Sequence, residues 1–262
     1  MGFIQGMTEF LPVSSSGHLV LVQHLLHVQD PEILSFDIFV HLGTLISLVA
    51  VLWKDIRDIL LGIWQSVPGF RFAEAYRADG PLRTGFIVCV GSIPAGIVGV
   101  LFRRQIMGAF TDPKLVAMNF AITGLLLWLT RFSRPKPDRA MGIPGALLVG
   151  LGEACSIFPG ISRTGITTSI ALYLRTTPDR AARLSFLMAI PAIAGGAILE
   201  LQYTLLERLR TEFIPIAAGT FVAALTGYLV ITWMFKIMKK GKFSLFSFYC
   251  LAVSLFGILF IS

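Results

Sequence analysis

Six stretches of the chain are almost continuously apolar: 34–53, 84–102, 115–132, 184–203, 213–235 and 244–261. Each approaches or meets the roughly 17 to 25 residues that a helix needs to cross the hydrocarbon core. Short connectors carrying charge or proline separate them. Two further apolar stretches, 1–28 and 145–174, are each cut in the middle by a cluster of Pro, Gly, Ser and Thr. A run broken in this way is a poor simple span, and the pattern predicts a re-entrant hairpin of two short helices. The expected fold is an all-α polytopic membrane protein of six transmembrane helices plus two re-entrant broken hairpins.

The two broken stretches align without a gap at an offset of 148. Gly2 meets Gly150, Phe10 meets Phe158, Ser14 meets Ser162 and Gly17 meets Gly165, with Gln5 opposite Glu153 and Ser16 opposite Thr164. The chain thus reads as one membrane domain made of two repeats, 1–132 and 144–262, each a hairpin (1–28 or 145–174) followed by three spans. Three is odd, so the second repeat must enter from the opposite face. That predicts an inverted repeat whose two breaks meet near the bilayer midplane.

Composition agrees with lipid as the main solvent: 55% of the residues are hydrophobic and 14% charged. The net charge of +7 is explained by topology. With the connector after residue 53 placed in the cytoplasm, sixteen Lys and Arg residues fall inside and five outside, the bias expected of a plasma-membrane protein. No basic stripe is interleaved with aromatic residues, which argues against nucleic acid as a partner. Cys89, Cys155 and Cys250 lie in apolar runs and read as small buried hydrophobes rather than a disulfide framework. The opening residues carry no basic segment or cleavage site, so insertion is expected to rely on the spans.

The breaks hold the chemistry. The first reads Gln5-Gly-Met-Thr-Glu9-Phe-Leu-Pro-Val-Ser14-Ser15-Ser16-Gly17-His18, the second Glu153-Ala-Cys-Ser-Ile-Phe-Pro-Gly-Ile-Ser162-Arg163-Thr164-Gly165. Gln5 and Glu9 are four apart and share a helix face. Ionisable groups at membrane depth cost on the order of 2.5 kcal/mol or more, so Glu9, Glu153 and Arg163 are functional candidates. Ser14 to His18 and Ser162 to Gly165 fall where apolar runs resume. There the free N–H groups of a helix start favour an anion, and Arg163 adds a planar fork for phosphate oxygens. Carboxylates beside such a cradle call for a divalent cation, Mg²⁺ or Ca²⁺, and hence for metal-assisted phosphoryl chemistry. Ser15 or Ser14 activated by His18, or His18 acting on a water, are alternative arrangements. His24 and His27 read as interfacial, Asp37 and His41 as cavity-lining or packing residues, and Glu200 as reaching the headgroups.

At these residues the chain resembles the undecaprenyl-diphosphate phosphatase family of bacterial membranes, also known for bacitracin resistance. Gln5-x-x-x-Glu9 with Phe-Leu-Pro-Val-Ser-Ser-Ser-Gly-His looks like its first motif, and Pro159-Gly-Ile-Ser-Arg-Thr-Gly like its second. The resemblance implies hydrolysis of a C55-isoprenyl diphosphate to the monophosphate and inorganic phosphate in the bacterial inner membrane, recycling the lipid carrier for cell-wall synthesis. It further implies a site opening toward the periplasmic face, with Mg²⁺ or Ca²⁺. It makes Glu9, Ser15, His18 and Arg163 catalytic, and Ser14, Ser16, Gly17, Ser162, Thr164 and Gly165 substrate-binding. Gln5 stands where many members have glutamate and Glu153 where many have glutamine, so Gln5, Glu9 and Glu153 form the expected metal set, redistributed between the halves. Membrane lipid is the other expected partner, and a homo-oligomer is compatible with the sequence. A lipid-carrier transporter or flippase is the rival reading, because inverted repeats with broken helices are also a transporter architecture. A phosphatidate-phosphatase type of enzyme is disfavoured, since every histidine lies at or before His41.

Overall fold

The structure, a computed structural model, describes residues 1–26, 33–66, 76, 80–136, 141–200 and 212–261, and for 33–37 and 199–200 the backbone alone. All regular structure among the described residues is helical. The first broken stretch forms α1 (Gly2–Thr8) and α2 (Ser15–Leu25), followed by α3 (Ile33–Val51), α4 (Trp53–Ser66), α5 (Pro81–Leu101), α6 (Arg103–Ala109) and α7 (Pro113–Leu129). The second forms α8 (Ile143–Cys155) and α9 (Arg163–Tyr173), followed by α10 (Pro178–Glu200), α11 (Phe213–Lys239) and α12 (Phe246–Phe260). Proline opens α5, α7 and α8 within the first two positions, where its missing N–H has no partner to lose.

Among the described residues five helices are long and apolar enough to cross a membrane, and α3 continues into α4 through a bend of 72°. The chain is therefore a multi-pass membrane protein. The bend falls at the end of the expected span over 34–53, and its cause is chemical. Beyond Leu52 come Lys54, Asp55, Arg57 and Asp58, which hydrocarbon does not accept. The chain instead continues as a helix whose exposed side carries Trp53, Leu60, Leu61 and Trp64, the make-up of an interfacial helix. Its other side is fastened to the bundle, because Asp55 accepts from Arg183 of α10 at 2.9 Å and Ile59 meets Gly85 of α5.

The bundle is organised around α10, 56% buried over its apolar window against 22% for α5. It packs on α3, α5, α9 and α11, while α12 pairs with α7. An edge-to-face series, Phe10 to Phe186 at 5.9 Å and Phe186 to Phe235 at 5.4 Å, joins the first break to α10 and α11. The short helices are held by backbone approach. α1 lies on α11 and α8 on α5, with Gly2 against the carbonyl of Gly219 and Gly150 against that of Gly91, the small-residue packing that lipid-embedded helices use. Cys250 is buried, whereas Cys89 and Cys155 are exposed on the outside of the bundle. The expectation that all three are buried fails because an apolar run in a membrane helix has a lipid-facing side.

A Cβ at Gly150 would sit 2.0 Å from the Gly91 oxygen, while one at Gly96 meets nothing within 4 Å. Gly150→Leu should therefore lower stability by at least about 1–3 kcal/mol, and Gly96→Ala should not. Thermal unfolding in detergent reads the difference, and equal midpoints for the two variants would contradict this packing.

Candidate active site

The first break begins where α1 runs out. Glu9 caps the helix, its N–H donating to the carbonyl of Gln5, so the two side chains share a face and Gln5 Nε2 donates to Glu9 Oε2 at 2.8 Å. The chain then turns to Ser14, whose φ of 64° lies in the left-handed region that a residue with a side chain enters at a cost of about 1–3 kcal/mol. Neighbouring contacts hold it there. Ser14 Oγ caps α2 by accepting from the N–H of Gly17 at 3.3 Å, and accepts from the N–H of Gly160 in the second break at 3.1 Å. This turn delivers Ser15, buried, with its Oγ donating to Glu9 Oε2 at 2.5 Å.

The second break is shaped by Gly160, with φ of +91° and so little room that a Cβ would sit 2.3 Å from the Val116 carbonyl oxygen. Ser162 then caps α9 by accepting from the N–H of Gly165 at 3.1 Å, as Ser14 caps α2. Arg163, the first residue of α9, reaches back across the bundle. Its Nη2 is paired with Glu9 Oε1 and its Nη1 donates to the carbonyl of Ala189 at 3.1 Å. Thr164 Oγ1 donates to the Glu9 carbonyl at 3.3 Å, and His41 Nε2 lies 3.8 Å from Glu9 Oε2. Glu9 is 8% exposed, so this carboxylate exchanges water for a guanidinium, an amide and a hydroxyl.

Gln5, Glu9, Ser15, Arg163 and Thr164 are thus in direct contact. Ser14, Gly17, Ser162 and Gly165 build the two helix starts around them, and half-buried Ser16 lies with its Oγ 3.5 Å from that of Ser14. Two candidates make no hydrogen bond to Glu9. His18 Nδ1 lies 2.7 Å from the carbonyl of Ser14 and Nε2 2.7 Å from the hydroxyl of Tyr249, so the acceptor beside Ser15 is Glu9 rather than this imidazole. Glu153 is 1% exposed, and neither of its oxygens has a hydrogen-bond partner. The oxygen of Gln5 is also without one. Among the described residues no three His, Cys, Asp or Glu side chains converge as a metal cluster. His24 is exposed at the end of α2. His27 lies outside the described residues, as do the side chains of Asp37 and Glu200 and five of the basic residues counted for topology, Arg71, Arg77, Arg139, Arg208 and Arg210.

The sequence reading passed over three residues here. Asn119 Nδ2 donates to the carbonyl of Pro159 at 2.8 Å, and Thr123 Oγ1 donates to that of Gly160 at 2.9 Å while accepting from the N–H of Ser162 at 3.0 Å. Two polar residues four apart in an otherwise apolar span were the signal. Tyr249 is the third.

Residues 1–256 match the family model of the bacitracin resistance protein BacA. The chain belongs to that family. It is 38% identical over 265 residues to an undecaprenyl-diphosphatase of Desulforapulum autotrophicum, covering 99% of this chain and 95% of the relative. A Salinibacter ruber protein of the same name is 36% identical over 265 residues, covering 98% and 96% of the two chains. One from Halothermothrix orenii is 38% identical over 260 residues, covering 97% and 93%. Family membership thus spans both breaks and the helices that hold them.

Thr123→Val keeps the shape of the side chain and removes both hydrogen bonds to the second break. Leaving the Gly160 carbonyl and Ser162 amide unpaired should cost about 1–3 kcal/mol. Equilibrium unfolding in detergent measures it, and a variant as stable as the parent would show that α7 does not hold the loop.

Proposed function

We propose that this family member is an integral-membrane phosphatase that hydrolyses undecaprenyl diphosphate to undecaprenyl phosphate and inorganic phosphate. It would thereby recycle the carrier for cell-wall synthesis and confer bacitracin resistance. The observation that carries the proposal is the contact set on Glu9: a guanidinium from one break and a serine hydroxyl from the other meet on one buried carboxylate. The names of the relatives support a hydrolase over a carrier. The substrate's tail has bilayer-like chemistry and its diphosphate needs cationic and N–H donors.

The proposed roles follow from these contacts. Arg163 uses two of its five N–H donors on Glu9 and Ala189, which fixes the fork and leaves the rest for phosphate oxygens. The starts of α2 and α9 supply backbone N–H groups for charge building on the phosphoryl group. Ser14, Ser16, Gly17, Ser162, Thr164 and Gly165 line that approach. Ser15 Oγ is the nucleophile and Glu9 takes its proton. The new bond to the terminal phosphorus displaces undecaprenyl phosphate, and His18 assists the water that frees inorganic phosphate. The donor set suits a hard cation: Glu9 offers carboxylate oxygen and Gln5 a buried amide oxygen that lacks a partner. Mg²⁺ or Ca²⁺, when bound there, would neutralise phosphate charge. Glu153, buried on α8 without a contact to Glu9, would join that set from the second half.

We further infer the inverted repeat and an outward-opening site. The matching serine caps at 14 and 162, and the matching glycine contacts at 2 and 150, support two halves related by exchange. The inside excess of Lys and Arg supports the orientation.

Arg163→Lys keeps the charge beside Glu9 and loses the fork. Phosphate release from undecaprenyl diphosphate by the purified variant should fall about 10²- to 10³-fold, and normal turnover would refute the assignment. Excess chelator should silence the enzyme and Mg²⁺ or Ca²⁺ restore it. Undiminished activity in chelator removes the cation from the mechanism. In a cysteine-free background, a membrane-impermeant thiol reagent should label Lys114→Cys from outside intact cells and reach Lys240→Cys only after lysis. The reverse pattern would invert the topology.

A further inference from the structure

His18 is enclosed in a way that assigns its protons. The carbonyl of Ser14, 2.7 Å from Nδ1, can only accept, so Nδ1 carries a hydrogen. In the neutral ring Nε2 then holds a lone pair. The hydroxyl of Tyr249, 2.7 Å from Nε2, must be the donor there. The two rings also stack, with centroids 5.7 Å apart and planes within 8°. Phe120 closes the other direction, edge-on at 5.1 Å.

The three constraints come from separate parts of the fold. Ser14 belongs to the first break, Phe120 to α7 and Tyr249 to α12, in the other half of the chain and 231 residues from His18. Both ring nitrogens are satisfied, as burial asks of any histidine, and the ring plane is set as well. The carbonyl that defines the tautomer belongs to Ser14, the residue with the left-handed φ, and Ser14 immediately precedes Ser15. The placement of His18 and that of the serine hydroxyl are thus products of one turn.

We propose that Tyr249 is a positioning residue for the phosphatase reaction: its hydroxyl holds His18 as the Nδ1–H tautomer in the resting site, its ring fixes the imidazole plane, and Nε2 becomes the basic nitrogen when a water takes the place of that hydroxyl. This rests on the phosphatase reading and on the role given there to His18. Tyr249 is 47% exposed, so replacing its hydroxyl leaves no buried group unpaired except Nε2 itself. Tyr249→Phe keeps the stacked ring and removes only the donor.

The test compares wild type, Tyr249→Phe, His18→Gln and the double variant, as full-length protein in detergent, by phosphate release from undecaprenyl diphosphate. Tyr249→Phe should lower kcat about 10-fold with KM within about twofold. His18→Gln should lose about 10²-fold or more. The double variant should be no slower than His18→Gln, because the tyrosine acts through the histidine. Nitrogen NMR of histidine-labelled protein, with His18→Gln to assign the signal, should show a protonated Nδ1 and a hydrogen-bonded acceptor Nε2, and the Nε2 signal should shift in Tyr249→Phe.

Wild-type kinetics in Tyr249→Phe, a double variant slower by the product of the single effects, or a His18 protonated at Nε2 would each overturn the proposal. Full activity in His18→Gln would overturn it too, while leaving Glu9, Ser15 and Arg163 as the site. If the wild type released no phosphate, the phosphatase reading would fall, and the nitrogen signals would still decide the pairing.

Discussion

The ion pair between Glu9 and Arg163 is the contact on which the rest of the architecture depends. Each charge sits in an interrupted helix within a membrane bundle, where an isolated carboxylate or guanidinium is heavily penalised. Neither can be placed there without the other. They come from opposite halves of the chain, 154 residues apart, so each hairpin depends on its counterpart. The same pairing concentrates a cation, a carboxylate and the starts of two helices in one enclosure, the set of charges a diphosphate head needs.

The interruptions that bring the charges together expose backbone groups where no water competes for them. The fold meets this locally. Ser14 and Ser162 cap the resuming helices, Ser14 also receives the Gly160 amide, and Asn119 and Thr123 on α7 take the carbonyls and amide of the second loop. α7 is therefore both a membrane span and a clamp. The aromatic series from Phe10 through Phe186 to Phe235 ties the first break, at the residue after Glu9, to α10 and α11.

Much of this was legible in the sequence, because composition alone separates a span from a loop in lipid. The interrupted stretches stood out since Pro, Gly, Ser and Thr cluster there within a few consecutive residues, and Glu9 and Arg163 since charge is scarce in apolar runs. Side-chain direction was less legible. His18 follows Ser15 by three residues and reads as its natural base, yet the left-handed Ser14 turns the hydroxyl toward Glu9 and leaves the imidazole to Tyr249. The bend after Leu52 was hidden because apolar and amphipathic segments abut without a proline. Asn119 and Thr123 showed only as two polar residues in an apolar span, and Tyr249 not at all, because their partners lie far away in sequence.

The central claim is energetic, and a double-mutant cycle on Glu9 and Arg163 tests it most directly. With Glu9→Gln, Arg163→Gln and the double variant, unfolding free energies in detergent should show each single change costing about 3–5 kcal/mol through the charge left unpaired. The double change should cost less than the sum of the two. Strictly additive losses would mean that the two charges do not meet, and the enclosure built on them would not exist.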